Sequence, residues 1–142
     1  MGQAALSIDG VLEAAVYADD LDAAAGFYGG LLGLKEILRH PLRHVFFRCG
    51  GTIVLVFRAE RSRIAPSGNA LPVPPHGAEG PGHICFSVPG PSLDAWAERL
   101  SRAGVAIEAD FRWPNGARSI YVRDPAGNSV EFAEPKLWRQ AG

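Results

Sequence analysis

The sequence predicts an α+β fold built from two βαβββ modules, with helices covering one face of each sheet. Residues 82–88 (GHICFSV) alternate polar and apolar side chains, as a strand with one buried face does. A degenerate copy of this strand lies early in the chain at residues 12–18, and each copy leads into a helical pattern that begins Leu-Asp-Ala. Three short strand patterns follow each helix, which favours antiparallel pairing with the helices on one side.

In the first module, residues 1–58, a strand over residues 11–18 precedes a helix that begins at Leu21. Asp19 or Asp20 can cap that helix, and Gly33 stands where a left-handed residue would end it. The apolar residues between them recur at helical spacing. The three strands that follow are expected at residues 35–38, 44–49 and 52–57.

A stretch rich in proline and glycine, residues 59–80, separates the two modules and is predicted to be a linker or mobile loop. The second module, residues 81–135, repeats the plan, with a helix from Leu93 that ends at Gly104. Its three later strands are expected at residues 105–109, 117–123 and 128–133. The tail, residues 136–142, carries Trp138, which we expect to dock on the fold. All four segments belong to one structural domain.

Composition narrows the class of partner. The chain has 142 residues, 47% of them hydrophobic, and a formal net charge of −1, so no basic face for a nucleic acid is expected. The longest apolar run, residues 53–57, is too short to cross a bilayer, and no signal peptide is evident. A cytoplasmic protein with a small-molecule substrate or ligand is therefore expected. Cys49 and Cys85 form no C-x-x-C pair and are interpreted as two small buried thiols.

Strand alternation places three ligand-type side chains on one concave surface. If the apolar side of each strand faces the helices, then Glu13, His83 and Glu131 all point away from them. One imidazole and two carboxylates on rigid strands suit a divalent ion such as Mn, Fe, Ni, Co or Zn. Taken singly, each residue has a plainer interpretation: a strand glutamate is usually solvated or salt-bridged, and a lone histidine is usually a satisfied polar residue.

Several segments together resemble the vicinal oxygen chelate superfamily, the group of glyoxalases, bleomycin resistance proteins and extradiol dioxygenases. They are VYADDLDAAAGFY at residues 16–28, LLGL at 31–34, GHICFSV at 82–88 and RDPAGNSVEF at 123–132. The resemblance extends from about residue 11 to residue 134. It implies two βαβββ modules that pair into a curved, partly closed eight-stranded mixed sheet with helices on the outer face. It also implies metal ligands at Glu13, His83 and Glu131, and a homodimer, sometimes formed by module exchange.

The resemblance leaves two functions open. One is a metal-dependent lyase, isomerase, transferase or dioxygenase whose substrate chelates the ion through vicinal oxygens, with Glu131 or Tyr121 moving a proton. The other is a metal-free protein that sequesters an antibiotic and confers resistance. Many family members have histidine where this chain has Glu13, and glyoxalases carry a further glutamate where this chain has Leu55. The iron dioxygenases use two histidines and one carboxylate.

The same alternation predicts which side chains line the ligand cavity. A lining that mixes aromatic rings with arginine would suit a flat or anionic ligand, although the aromatic residues could equally be core. The predicted substrate-binding residues are Tyr17, His44, Phe46, Arg48, Leu55, Trp113, Ser119 and Tyr121. Trp113 is placed at the mouth of the cavity.

Overall fold

The computed structural model describes residues 5–139, so the first four residues of the predicted first module and the last three of the predicted tail lie outside the described residues. The first half of the chain contains, in order, β1 (Glu13–Tyr17), α1 (Leu21–Ala25), β2 (Lys35–His40), β3 (His44–Cys49), β4 (Thr52–Phe57) and α2 (Ala59–Ser62). The second half contains β5 (His83–Ser87), α3 (Leu93–Arg102), β6 (Ala109–Arg112), β7 (Arg118–Arg123) and β8 (Ser129–Ala133).

These strands form two four-stranded mixed sheets with the same topology. Sheet 1 has the order β1-β4-β3-β2, and sheet 2 has the order β5-β8-β7-β6. In each sheet the first strand pairs in parallel with the last, and the other pairings are antiparallel. The predicted α+β class is confirmed, and within the chain the eight strands divide into two separate sheets.

The two sheets also share a register. In sheet 1, Ala15 lies opposite Leu55. In sheet 2, Cys85 lies opposite Glu131. Positions on β1, β3 and β4 therefore have equivalents on β5, β7 and β8, as expected of one structural unit used twice.

A single hydrophobic core joins the two sheets and their helices. The Tyr28 ring lies 6.0 Å from that of Phe47 in sheet 1 and 6.3 Å from that of Phe86 in sheet 2, measured between centroids. Val45, Ile120 and other apolar residues of both sheets belong to the same buried cluster. One face of each sheet is thus covered by core. We call the opposite face of each sheet its distal face.

The turn between β7 and β8 fastens the second sheet to the first unit. The Tyr28 hydroxyl donates to Asp124 Oδ2 at 2.7 Å, and Asn128 Nδ2 donates to the Tyr17 carbonyl at 3.0 Å. Asp124 also accepts hydrogen bonds from the backbone amides of Ala126 and Asn128. Burial, followed by the hydrogen bond and charge of Asp124, raises the pKa of Tyr28 far above its usual range.

The predicted first helix occupies the expected stretch but changes its winding. Asp20 accepts from the Ala23 amide at 2.9 Å, which confirms the cap, and residues Gly26–Leu31 continue α1 as a π-helix. A Cβ on Gly29 would lie 3.2 Å from the Phe47 ring, so this glycine permits close packing on β3. Gly33 and Gly104 both have positive φ, as predicted for residues that end the two helices.

Four expectations about local structure are wrong. The strand expected at residues 105–109 begins only at Ala109, because Val105 and Ile107 pack on the core from the segment that follows α3. Residues Ala59–Ser62 of the predicted linker form a helical turn. Trp138 is 84% exposed and does not dock, and Cys85 is exposed because its strand position faces away from the core.

None of the helices within residues 5–139 combines the length and apolar character needed to span a membrane.

Candidate functional site

The distal face of sheet 2 brings His83 and Glu131 together. His83 lies on β5 and Glu131 on the neighbouring β8, and His83 Nε2 is 3.3 Å from Glu131 Oε1. The histidine side chain is 51% exposed, whereas the glutamate side chain is only 7% exposed. A buried carboxylate therefore lies beside an imidazole that solvent can reach.

The hydrogen bonds of His83 fix which nitrogen carries its proton. Nδ1 lies 3.1 Å from the Ser129 carbonyl oxygen and 3.2 Å from Ser129 Oγ. Because a carbonyl oxygen can only accept, Nδ1 must be the donor, and in the neutral ring the Nε2 lone pair then faces Glu131. Two acceptors that converge in this way are suited to hold a cation between them. Histidines that ligate metals commonly donate their other ring N–H to a carbonyl in the same manner.

Two hydrogen bonds hold the second oxygen of Glu131. Ser119 Oγ donates to Glu131 Oε2 at 2.6 Å, and Trp113 Nε1 donates to Ser119 Oγ at 2.8 Å. Ser119 is fully buried, so a ligand on this face cannot reach it. The predicted contact of Ser119 with substrate is therefore corrected: its partners are protein side chains.

Tyr121 and Cys85 complete the surroundings of Glu131. The Tyr121 ring stacks between His83, at 6.1 Å between centroids, and Phe111, at 5.8 Å. Partial desolvation of the phenol and of the thiol first, and then the nearby charge of Glu131, raises the pKa of Tyr121 to about 12 and that of Cys85 to about 12. Both groups keep their protons at neutral pH, so Tyr121 faces the site as a hydrogen-bond donor.

The distal face of sheet 1 is largely apolar and covered by a loop. His44, Phe46, Leu55 and Phe57 line a cavity of about 370 Å³ together with Glu13, Arg43 and the loop residues Pro66, Ala70, Leu71 and Val73. The His44 ring stacks on Phe46 at 4.2 Å between centroids. Burial, followed by the charges of His40 and Arg43, lowers the pKa of His44. This imidazole is therefore held neutral in an apolar setting.

The covering loop is anchored through His76. Its Nδ1 lies 2.7 Å from the Tyr17 hydroxyl, and its ring meets Phe57 edge to face at 4.6 Å between centroids. Its carbonyl accepts from Ser62 Oγ at 2.6 Å. Tyr17, a predicted substrate-binding residue, therefore holds the loop at this end of the sheet.

The three predicted metal ligands do not gather within one chain. Glu13 is exposed on sheet 1, while His83 and Glu131 are in contact on sheet 2. No cluster of three or more His, Cys, Asp or Glu side chains with ligand spacing occurs within residues 5–139.

Arg48 is exposed on the distal face of sheet 1, four residues from His44 along β3. Sequence reasoning missed the contacts of Trp113 with Ser119 and of His76 with Tyr17, because no local pattern identifies a partner across a loop.

Comparison with solved structures gives extensive similarity. A lactoylglutathione lyase from Agrobacterium tumefaciens is 45% identical, with a TM-score of 0.88 over 92% of this chain and 97% of that chain. A glyoxalase/bleomycin resistance protein/dioxygenase from Nocardioides is 24% identical, with a TM-score of 0.69 over 92% of this chain and 85% of that chain. A putative glyoxalase family protein from Bacillus anthracis is 22% identical, with a TM-score of 0.69 over 92% and 98% of the two chains. The two more distant structures show the shared fold alone. No match was found among curated proteins.

A family model provides the broadest assignment. The model of the glyoxalase/bleomycin resistance protein/dioxygenase superfamily matches residues 10–132, which include both sheets and the distal-face residues described above. Together with the sheet topology, this match shows that the chain belongs to the glyoxalase/bleomycin resistance protein/dioxygenase superfamily.

Proposed function

We propose that the protein is a divalent-metal-dependent enzyme acting on a small molecule whose vicinal oxygens chelate the ion. The observation that carries this proposal is the short distance between His83 Nε2 and Glu131 Oε1. Each side chain is held by a hydrogen bond at its other polar atom, Nδ1 of His83 to the Ser129 carbonyl and Oε2 of Glu131 to Ser119. One imidazole nitrogen and one carboxylate oxygen fit Mn, Fe, Ni, Co or Zn. The exposure of His83 leaves the ion's other positions open to substrate.

Glu13 is the third proposed ligand, and it requires the two distal faces to meet. Because Glu13 lies on the other sheet, we propose a homodimer in which the distal face of sheet 1 in one protomer covers that of sheet 2 in its partner. The apolar cavity beside Glu13 would then adjoin the ion and receive the non-chelating part of the substrate.

The protein's own groups would handle the protons. A bound ion supplies Lewis-acid stabilisation of a developing oxyanion or enolate. Glu131 would accept a proton from substrate only by releasing Oε1 from the ion, because Ser119 holds its other oxygen. The Tyr121 hydroxyl, protonated at neutral pH, can donate to a developing negative charge. The His83 and Phe111 rings on either side of Tyr121 limit its rotation.

The similarity to a lactoylglutathione lyase gives the first substrates to test. Lactoylglutathione is a thioester of a 2-hydroxy acid, so adducts of thiols with 2-oxoaldehydes are one class. Leu55, where glyoxalases carry a glutamate, favours testing other dicarbonyls, epoxides and catechols alongside them.

Metal content tests the proposal. Protein purified without chelator should contain about one transition metal ion per chain, and His83→Ala should contain none. His44→Ala is the matched control, because it removes an imidazole from the distal face of sheet 1 and should leave the metal content unchanged. Absence of metal in the parent protein, even after loading with Mn, Ni, Fe and Zn, would contradict the proposal.

The alternative, a metal-free antibiotic-binding protein, is favoured by one specific observation. The cavity of about 370 Å³ under the loop is lined mainly by apolar and aromatic side chains and could enclose a hydrophobic drug. This alternative predicts tight drug binding that His83→Ala leaves unchanged and that no divalent ion affects. Calorimetric titration with and without metal separates the two functions.

A further inference from the structure

We propose that Trp113 and Ser119 form a positioning relay that aims Glu131 at the metal position, an inference that rests on the proposed function. The relay consists of two hydrogen bonds, from Trp113 Nε1 to Ser119 Oγ at 2.8 Å and from Ser119 Oγ to Glu131 Oε2 at 2.6 Å. Neither Trp113 nor Ser119 contacts the metal position, so both act through Glu131.

The chemistry of the indole gives the relay a single direction. An indole N–H can only donate, so it uses a lone pair of Ser119 Oγ and leaves the hydroxyl hydrogen for another acceptor. That hydrogen points to Glu131 Oε2, and the short separation is typical of a hydroxyl bound to a carboxylate. The two hydrogen bonds cannot run the other way, because the indole N–H of Trp113 cannot accept and a carboxylate cannot donate.

Burial makes the relay matter for the site. Both Ser119 and Glu131 are buried, so water cannot replace the serine hydroxyl. With Oε2 occupied, Oε1 is the oxygen left to face His83 Nε2. The relay thereby sets both the rotation of the carboxylate and the oxygen that can bind an ion.

The hairpin between β6 and β7 holds the indole in place. The Trp113 amide donates to the Ala117 carbonyl at 2.7 Å, and the Gly116 amide donates to the Trp113 carbonyl at 2.8 Å. The Trp113 ring also packs edge to face on Phe111 at 5.0 Å between centroids. Sheet 1 has no such relay: the equivalents of Ser119 and Glu131 are His44 and Leu55.

Three variants test the relay, each titrated with Co²⁺ as the probe. Ser119→Ala removes the hydroxyl, Ser119→Thr keeps it, and Trp113→Phe keeps the ring but removes the N–H. We expect Ser119→Ala to weaken Co²⁺ binding by about 10- to 100-fold, Trp113→Phe by less, and Ser119→Thr to restore affinity close to that of the parent. The visible Co²⁺ spectrum should change in Ser119→Ala and not in Ser119→Thr, an effect that loss of packing alone would not produce.

A second measurement follows the relay without metal. The indole N–H of Trp113 should give a distinct NMR resonance that shifts in Ser119→Ala and is retained in Ser119→Thr. Thermal unfolding of each variant shows whether the fold is kept. If the parent binds Co²⁺ and both Ser119→Ala and Trp113→Phe bind it equally well with the same spectrum, the relay is overturned while the proposed function stands. If the parent binds no Co²⁺, the proposed function fails and the relay loses its role with it.

Discussion

The distal faces of the two sheets share one strand register but carry different side chains. Corresponding positions on sheet 1 and sheet 2 hold Glu13 and His83, Ala15 and Cys85, Leu55 and Glu131, Phe46 and Tyr121, and His44 and Ser119. Of the four side chains around Glu131 on sheet 2, Cys85 and Tyr121 have apolar equivalents on sheet 1, whereas His83 and Ser119 have the polar equivalents Glu13 and His44. The anchored loop covers the cavity on the distal face of sheet 1. The two sheets thus share their backbone pairing and differ in their side chains: sheet 2 carries the contact between His83 and Glu131, and sheet 1 carries an apolar cavity.

The largest expected effect comes from making sheet 2 resemble sheet 1. Glu131→Leu places the residue of the equivalent position beside His83 and removes the proposed carboxylate ligand. Affinity for Co²⁺ or Zn²⁺ should fall at least about 100-fold, measured by competition with a chelator. Leu55→Met, a change of similar volume on sheet 1, should alter the affinity less than about threefold. Equal losses in both variants would contradict the division of roles between the faces.

The reverse exchange should cost stability. Leu55 is 8% exposed in the apolar cavity, so a carboxylate in Leu55→Glu would be desolvated there. We expect the free energy of unfolding of the metal-free protein to fall by about 2 to 4 kcal/mol at neutral pH, measured by urea denaturation. The loss should shrink at low pH, where the carboxyl group is neutral. A loss under about 0.5 kcal/mol would mean that the cavity is polar enough to solvate a charge.

The turn that joins the two regions gives a smaller effect with a distinct pH dependence. Tyr28→Phe removes the hydrogen bond to Asp124 and should cost about 1 to 2 kcal/mol at neutral pH. In the parent, burial and Asp124 raise the pKa of Tyr28 above that of the unfolded chain, so the folded state holds the phenol proton more tightly. The stability contributed by this group is complete below about pH 10 and is lost as the pH rises further, because only the unfolded chain ionises.

The Tyr28→Phe variant should therefore lose less stability than the parent between neutral pH and pH 11. Urea denaturation at a series of pH values compares the two proteins. Parallel losses in both would show that this phenol does not contribute to alkaline unfolding.

The smallest effect concerns the loop over sheet 1. His76→Ala removes the partner of the Tyr17 hydroxyl and the ring that meets Phe57. We expect a loss of about 1 kcal/mol in unfolding free energy and faster proteolysis between residues 63 and 76. Metal affinity on sheet 2 should not change. A loss of metal binding in this variant would show that the loop also shapes the distal face of sheet 2.

The sequence predicted the regular parts of this arrangement well, because strand alternation and turn chemistry are local. The bounds of β3 and β4 agree with the structure. Alternation placed Glu13, His83 and Glu131 on one surface; His83 and Glu131 lie on neighbouring strands of sheet 2, whereas Glu13 lies on sheet 1. Alternation failed at Val105 and Ile107, since a segment packed on the core shows the same pattern as a strand. It also could not show that Ser119 is buried and accepts a hydrogen bond from Trp113, because that contact depends on the conformation of the hairpin turn between β6 and β7.

The pairing of the two faces is the central claim, and mixing two inactive variants tests it most directly. Glu13→Ala and His83→Ala, each carrying a different tag, are refolded together and the metal content of the mixture is measured. If one site takes Glu13 from one protomer and His83 from its partner, random pairing restores about a quarter of the sites, although each variant alone binds no metal. A mixture that binds no more metal than its two components would contradict a site shared between protomers.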